Sequence, residues 1–570
     1  MSGYSPGLPM LQRIAFRGID AGDRTSLWTT DGTAAGTQEI TGVLGVSPDG
    51  LNPSDLVFYS GRLLFSGQGT GNNANLWATD GTAAGTQEIA GVPGASPNGL
   101  RPSGLTLYKG KLLFSGQDAG NSTNLWTTDG TAAGTQEITG VSGVSLTGLH
   151  PSDFTQYNSK LLFSGQNADN RYGLWTTDGT AAGTKEIAGV AGTSQFGLRP
   201  SDLSPYGGKL LFSGQDAGNH ANLWTTDGTA AGTNEITGVL SNSANGLRPS
   251  NLTPYNGKLL FSGVDAGNHA NLWTTDGTAA GTAQINGVPG SSPAGLQPSD
   301  LTPYNGKLLF SGVDAGNHAN LWTTDGTAAG TTEITGVPGA SLNGLKPSGL
   351  TLNNGKLLFS GLDANDSFSL WTTDGTAAGT QEITGVPGVG PHGLMAGGFA
   401  SLVAATAPTL TAVQAKAGIA GPLHAGQVIT FIVVPSGAVT VDTVGNGPTL
   451  SLSDGGTAIY DAGATTAAGL VFRTTVTAGQ NSADLRVTGL ALGSATITDA
   501  NGTALDATAL PTLPGSDTGL VIDTKITGGP TVDPLFDAAF YLAQNPDVAA
   551  AGVDPYQHFV NYGWREGRNP

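Results

Sequence analysis

Cysteine is absent from the 570 residues, which removes disulfides, thiolate catalysis, Cys-bound zinc and Cys-ligated clusters from consideration. Charge is scarce: 11% of residues are Asp, Glu, Lys or Arg, against about a quarter in an ordinary soluble protein. The charge that is present is mostly negative. There are 23 Lys and Arg against 42 Asp and Glu, a net −19, which disfavours nucleic acid and anionic membranes as general partners. Long apolar runs are also missing. The longest, Val428-Ile429-Thr430-Phe431-Ile432-Val433-Val434, is far too short to cross a bilayer. Met1–Gly18 has no apolar segment with a cleavage site, so no Sec signal peptide is expected. Hydrophobic residues still make up 38%, enough to build cores and to argue against a disordered chain.

The chain is rich in glycine, with 90 residues, and in repetition. Trp28, Trp77, Trp126, Trp175, Trp224, Trp273, Trp322 and Trp371 stand 49 residues apart, each opening the string Trp-x-Thr-Asp-Gly-Thr-Ala-Ala-Gly-Thr. Eight copies with no insertion imply one structural unit stacked on copies of itself. Within a copy, four short β-rich runs are separated by Asn-Gly, Asp-Ala-Gly-Asn and Asp-Gly turns. No apolar period of 3.6 runs through the array, which disfavours helical repeats. Four antiparallel strands in a 40- to 50-residue repeat make a propeller blade. The run Leu308-Leu309-Phe310 is apolar on successive residues, as expected of a strand covered on both faces. The expected fold is all-β: an eight-bladed β-propeller over residues 1–405, with a β-solenoid as competitor. Because Ser5–Gln12 lack the inner-strand pattern, residues 397–403 are expected to supply that strand to the first blade and close the ring.

The Leu-Trp-x-x-Asp-Gly-Thr core, present in all eight copies, resembles the bacterial secreted family named for a Glu-Leu-Trp-x-x-Asp-Gly-Thr repeat, over residues 13–400. The leading Glu is not matched; its column reads Ser26, Asn75, Asn124, Gly173, Asn222, Asn271, Asn320 and Ser369. The resemblance implies an extracellular propeller and carries no common activity.

Residues 406–527 change to alternating runs such as Thr449-Leu450-Ser451-Leu452, the pattern of a β-sandwich. Thr449–Ala458, Ala478–Leu485 and Ile497–Thr503 resemble the immunoglobulin-like modules of bacterial surface adhesins. Residues 528–570 open with the linker Gly528-Gly529-Pro530 and read as two short helices, Asp537–Gln544 and Pro555–Tyr562. The motifs from Tyr541 and from His558 resemble a small helical module of secreted α-proteobacterial surface proteins, an attachment segment.

Eight aligned copies allow candidate sites to be compared within one chain. The invariant Asp31, Asp80, Asp129, Asp178, Asp227, Asp276, Asp325 and Asp374 read as turn caps rather than eight catalytic groups. His220, His269 and His318 share a column that elsewhere holds Arg, Asn or Ser, which cannot keep a metal ligand set. The loop aspartates Asp118, Asp216, Asp265, Asp314 and Asp363 could hold Ca²⁺, with plain Asx turns as the alternative. The adhesin resemblance adds Asp499, with Asn501, Gly502 and Asp523 near it. Two columns are basic. One, Arg13, Arg62, Lys111, Lys160, Lys209, Lys258, Lys307 and Lys356, falls between strands one and two. The other, Arg101, His150, Arg199, Arg248 and Lys346 with Asn52 and Gln297, precedes strand one near the central channel and is the candidate ligand-binding ring.

No Walker loop, Gly-x-Ser-x-Gly or His-Glu-x-x-His is present. The sequence therefore points to a non-catalytic extracellular surface protein, not an enzyme: an adhesin, matrix or surface-layer component acting through repeated surfaces and self-association. The alternative is a glycan- or anion-binding, lectin-like propeller, with a hydrolase or lyase third. Expected partners are further copies of itself or a cell-surface glycan or protein. Export is expected without a Sec signal, in the manner of a type I secretion substrate.

Overall fold

The computed structural model describes residues 13–240, 243–402, 409–417, 422–436, 439–442, 447–465, 469–492, 495–499, 505, 516, 518–524, 538–551, 553 and 555–559. The chain divides into two compact units, Met1–Ala404 and Ala405–Pro570.

In the first unit the repeats form eight four-stranded antiparallel sheets. Sheet five shows the pattern, with strands Ser201–Tyr206, Lys209–Gln215, Ala221–Thr226 and the short Asn234–Glu235. Gly207 and Gly208, at φ 57° and 73°, supply the left-handed pair that a tight hairpin needs. Every residue from Leu210 to Gly214 is buried, because the two faces of this strand meet different neighbours. Leu210, Phe212 and Trp224 pack with Leu162 and Leu174 of sheet four. Leu211 and Leu223 pack with Leu259, Phe261 and Trp273 of sheet six. Alternate side chains thus bind the sheet to each side, and the indole stacks on Phe212 at a centroid separation of 6.4 Å.

The stacking closes on itself. Leu358, Leu370 and Ile383 of sheet eight share a core with Ile14, Phe16 and Trp28 of sheet one. The first strand of each sheet touches the first strand of the next, which places these strands innermost. In sheet one the inner strand is Gly397–Ser401, paired antiparallel with Ile14–Ile19. Leu402 adds a hydrogen bond to the Arg13 carbonyl, and Val403 lies outside the described residues. This is the arrangement of a β-propeller. Tyrosines tie the sheets together near the inner hairpins: Tyr108 Oη donates to the Ser159 carbonyl at 2.6 Å and Tyr304 Oη to the Gly355 carbonyl at 2.7 Å.

The second unit holds a six-stranded antiparallel sheet, in spatial order Leu410–Ala417, Val428–Pro435, Leu470–Thr475, Thr457–Tyr460, Thr449–Leu452 and Val487–Ala491. Two short pairs, Val439–Asp442 with Thr496–Asp499 and Asn481–Ser482 with Ile522–Asp523, accompany it. One core gathers Ile429, Phe431, Leu450, Phe472, Leu485 and Ile497. The linker 528–530 and residues 560–570 lie outside the described residues.

At the C-terminus three short helices replace the two expected: α1 (Ala538–Gln544), α2 (Pro546–Ala551) and α3 (Pro555–His558). The added helix begins at Pro546, and proline suits a first helical turn, where no backbone donor is needed. Tyr541 is fully buried, with its hydroxyl 3.0 Å from His558 Nδ1. No described helix is long and apolar enough to cross a membrane.

Gly214 faces Trp224 so closely that a Cβ there would stand 2.8 Å from the indole Cδ1. Gly214→Ala should therefore destabilise the unit by about 1–3 kcal/mol through overpacking. Trp224→Ala should cost about 3–5 kcal/mol through the cavity it leaves. Urea unfolding followed by circular dichroism measures both, and a neutral Gly214→Ala would contradict the packing described.

Candidate functional site

The invariant aspartates sit in a closed turn network. In sheet five Asp227 Oδ1 accepts the Thr229 N–H at 2.9 Å and the Thr229 hydroxyl at 2.7 Å. Thr229 Oγ1 accepts the Gly232 N–H at 3.0 Å, while the buried hydroxyls of Thr226 and Thr233 meet at 2.7 Å. These bonds, led by the threonine hydroxyl, hold Asp80, Asp129, Asp178, Asp227, Asp276, Asp325 and Asp374 below the usual carboxylate range. Asp31 makes the same pair of bonds to Thr33.

The first basic column lies on this face. The charges of Arg62, Lys111, Lys209, Lys258, Lys307 and Lys356 each help to lower the turn aspartate of their own sheet. Arg13 Nη2 instead donates to Thr29 Oγ1 at 2.9 Å. Six members of this ring therefore stand near a turn aspartate, without an ion pair among the described residues.

The opposite face carries the loops between strands two and three. Asp118 Oδ1 accepts the N–H groups of Gly120 and Ser122, both at 2.8 Å, and Oδ2 accepts Asn124 Nδ2 at 3.1 Å. Asp216, Asp265 and Asp314 repeat this with Asn222, Asn271 and Asn320. His220, His269 and His318 lie 3.2–3.7 Å from the same aspartates. For Asp265, burial raises the pKa, but the N–H groups of His269 and Gly267 and the His269 charge outweigh it. Burial raises Glu137 in the outer strand, reinforced by the negative Asp118. Among the described residues no three His, Asp or Glu side chains come together as a metal-holding group. Asp499 ends a strand, and its side chain, like Asn501 and Gly502, lies outside the described residues.

The second ring also stands on this face, two residues ahead of each inner strand. Asn52, Arg101, His150, Arg199, Arg248, Gln297, Lys346 and Met395 all adopt left-handed backbone, with φ between 44° and 49°. That conformation is costly for residues other than glycine. In seven of the eight sheets proline follows, which further restricts the residue before it. Each backbone N–H is anchored to the third strand of the preceding sheet, for instance Arg101 to the Ala74 carbonyl at 2.8 Å and Arg248 to Ala221 at 2.8 Å. The side chains of Arg101, Arg199, Arg248 and Lys346 are exposed and form no ion pair among the described residues. His150 Nε2 lies 3.4 Å from Thr147 Oγ1.

Sequence reasoning missed one column just inside this mouth: Asp55, Gly104, Asp153, Asp202, Asn251, Asp300, Gly349 and Gly398, all at positive φ in the inner strand. Burial raises Asp55 and Asp202, and the like charge of Asp153 adds to Asp202. Asp300 Oδ2 accepts the Gly349 N–H of the next sheet at 3.2 Å. The signal was legible, since only Asp, Asn and Gly occupy the column and these residues tolerate left-handed backbone.

No protein-family model matches the chain, and no curated protein matches it. Solved structures do. The crystal structure of puromycin hydrolase matches at 15% identity and TM-score 0.38, over 67% of this chain and 58% of that one. A structure from a study of two prolyl endopeptidases matches at 12% identity and TM-score 0.37, over 68% and 54%. The β-propeller domain of the Trilobed protease from Pyrococcus furiosus matches at 15% and TM-score 0.34, over 59% and 98%. The chain thus spans 58% of the length of the puromycin hydrolase it matches. The likeness is one of fold. The expectations of a non-catalytic surface protein, and of no enzyme, are withdrawn, because the solved structures of similar fold include a puromycin hydrolase and a prolyl endopeptidase. The error lay in taking eightfold sameness, a requirement of stacking, as a sign that chemistry is missing.

The two carboxylate sets respond to pH with opposite signs. A turn aspartate, depressed in the fold, adds stability above its unfolded pKa and loses it as pH falls through the folded value. Asp202 is raised, so its charge opposes folding at neutral pH and the penalty disappears as pH falls through its folded value. Asp202→Asn introduces the side chain that Asn251 already carries in the same column. It should raise the melting temperature slightly at pH 7, by about one degree or less, and leave it unchanged at pH 3. Calorimetry at the two pH values checks this; an equal shift at both would contradict it.

Proposed function

We propose that the first unit is an eight-bladed propeller that binds an anionic glycan at the mouth of its channel, and that the second unit is an immunoglobulin-like module. The observation that carries this reading is the arc Arg101, His150, Arg199, Arg248, Gln297 and Lys346, on six successive sheets. Its cations are anchored through their backbone, exposed, and free of ion pairs in a chain of net charge −19. Guanidinium groups suit carboxylate and sulfate, which they bind through paired hydrogen bonds. In the basic ring on the opposite face, six of the eight members stand near turn aspartates whose pKa they help to lower, against one, Lys346 near Asp366, in the arc. Carboxylates of Asp55, Asp153, Asp202 and Asp300 inside the mouth repel an anion, so the ligand rests on the rim. A location outside the cell fits the lack of cysteine and the resemblance of the repeat to a secreted family.

The test is binding to a panel of carboxylated and sulfated polysaccharides at increasing salt. The expected result is selective binding that weakens with salt and falls at least tenfold in the double variant Arg199→Ala/Arg248→Ala. Lys209→Ala/Lys258→Ala, on the other face, should change nothing. The chain length of the polysaccharide after incubation shows in the same samples whether it is also cut. Binding that is absent, or equally affected by both double variants, would overturn the proposal.

A further inference from the structure

On the loop face each sheet has a recess between the start of its third strand, its outer strand and the loop leading to the next sheet. In sheets three, five and seven an asparagine amide stands in it. Asn124, Asn222 and Asn320 donate through Nδ2 to the loop aspartate at 3.1–3.2 Å and to the outer-strand glutamate at 2.7 Å. Their Oδ1 atoms accept the N–H of Leu149, Leu247 and Leu345 at 2.9–3.1 Å. Asn75 reaches Glu88 at 2.7 Å in sheet two, and Asn271 reaches Asp265 at 2.9 Å in sheet six. Where this position changes, another donor takes over. Sheet four has Gly173, and Asn167 Nδ2 reaches Glu186 at 2.9 Å. Sheet one has Ser26, and the Arg24 guanidinium holds Asp20 at 2.8–2.9 Å.

Sheet eight differs. It has Ser369 at the asparagine position and Ser367 at the arginine position. Asp363 Oδ1 accepts the N–H groups of Asn365 and Ser367 at 2.8 and 2.9 Å. Asp363 Oδ2 and the Glu382 carboxylate accept no hydrogen bond from any described residue, and no side chain accepts from the Leu394 N–H. Both carboxylates line a cavity of about 250 Å³ whose other walls include Leu370, Ile383 and Val389. The same recess measures about 220 Å³ in sheet five and 120 Å³ in sheet three, where the amide occupies its wall.

We propose that the sheet-eight recess binds an organic cation with at least two N–H donors, a guanidinium or primary ammonium on an apolar stem. The other sheets define the missing group: five place an asparagine amide at the equivalent position, sheet four brings the Asn167 amide to Glu186, and sheet one brings the Arg24 guanidinium to Asp20. Here two carboxylates lack that donor, so a cation supplies both the hydrogen bonds and the neutralising charge. The aliphatic walls accept the stem. This site is independent of the channel-mouth arc.

The experiment is calorimetric titration of the full chain with n-butylguanidinium, and with tetramethylammonium as a cation lacking N–H groups. One saturable site is expected for the first and none for the second. Ser369→Asn restores the amide of the other sheets and should weaken butylguanidinium at least tenfold without lowering the melting temperature. Asn320→Ser should open the recess of sheet seven and raise the stoichiometry from one to two. Arg199→Ala/Arg248→Ala should leave binding unchanged, which separates this site from the glycan site. No saturable butylguanidinium binding, equal binding of tetramethylammonium, or an unaffected Ser369→Asn would each overturn the proposal.

Discussion

Burial of one tryptophan against the neighbouring sheet is the contact on which the first unit depends. All eight repeat tryptophans are fully buried, and each belongs to a core cluster shared by two sheets. A single four-stranded sheet of this kind cannot bury its own hydrophobic faces, so each repeat is stable only between two others. The constraint reaches down to single residues. Gly214 and its equivalents must lack a side chain because the indole lies where Cβ would be, and the second strand must be apolar on consecutive positions because both its sides are interfaces. It also explains the closure of the ring. Without Gly397–Ser401, the first sheet would present an unpaired inner edge.

That uniform packing gives the two faces different electrostatics. On the turn face, aspartates bonded to their own threonines lie near the lysine or arginine of the inner hairpin in six of the eight sheets. On the loop face, the left-handed residues ahead of the inner strands project cations that form no ion pair among the described residues, Lys346 alone helping to lower a carboxylate, Asp366. Just inside them lie four aspartates, Asp55, Asp153, Asp202 and Asp300, of which Asp55 and Asp202 are raised by desolvation. Both candidate sites arise where copies depart from the repeat, at arginines the other sheets lack and at the serine that replaces an asparagine.

Much of the fold was legible in the residues. The 49-residue period, the turn dipeptides and the doubly apolar strand are local or periodic signals, and each follows directly from backbone geometry and burial. The C-terminal helices were less legible, because Asn545-Pro546 ends one helix and begins the next with the same residues. The sites were legible only as columns. Arg199 and Arg248 stood out as basic positions, but their left-handed backbone and lack of partners depend on the preceding sheet, whose strand carbonyls anchor them. The Asp55 and Asp202 column passed unnoticed, since its aspartates resemble ordinary turn residues until eight inner strands bring them around one channel.

By itself, then, the sequence determined the repeating unit, its strand pattern, its turn chemistry and the acidity that those turns bring. These properties act over a few residues, where dihedral preference and hydrogen-bond reach suffice. Only the tertiary structure decided which charges are balanced and which stand alone, and which recess lacks its donor. Charge pairing and cavity filling depend on groups that are a whole repeat or a whole chain apart in sequence. Their distances are set by how the sheets stack.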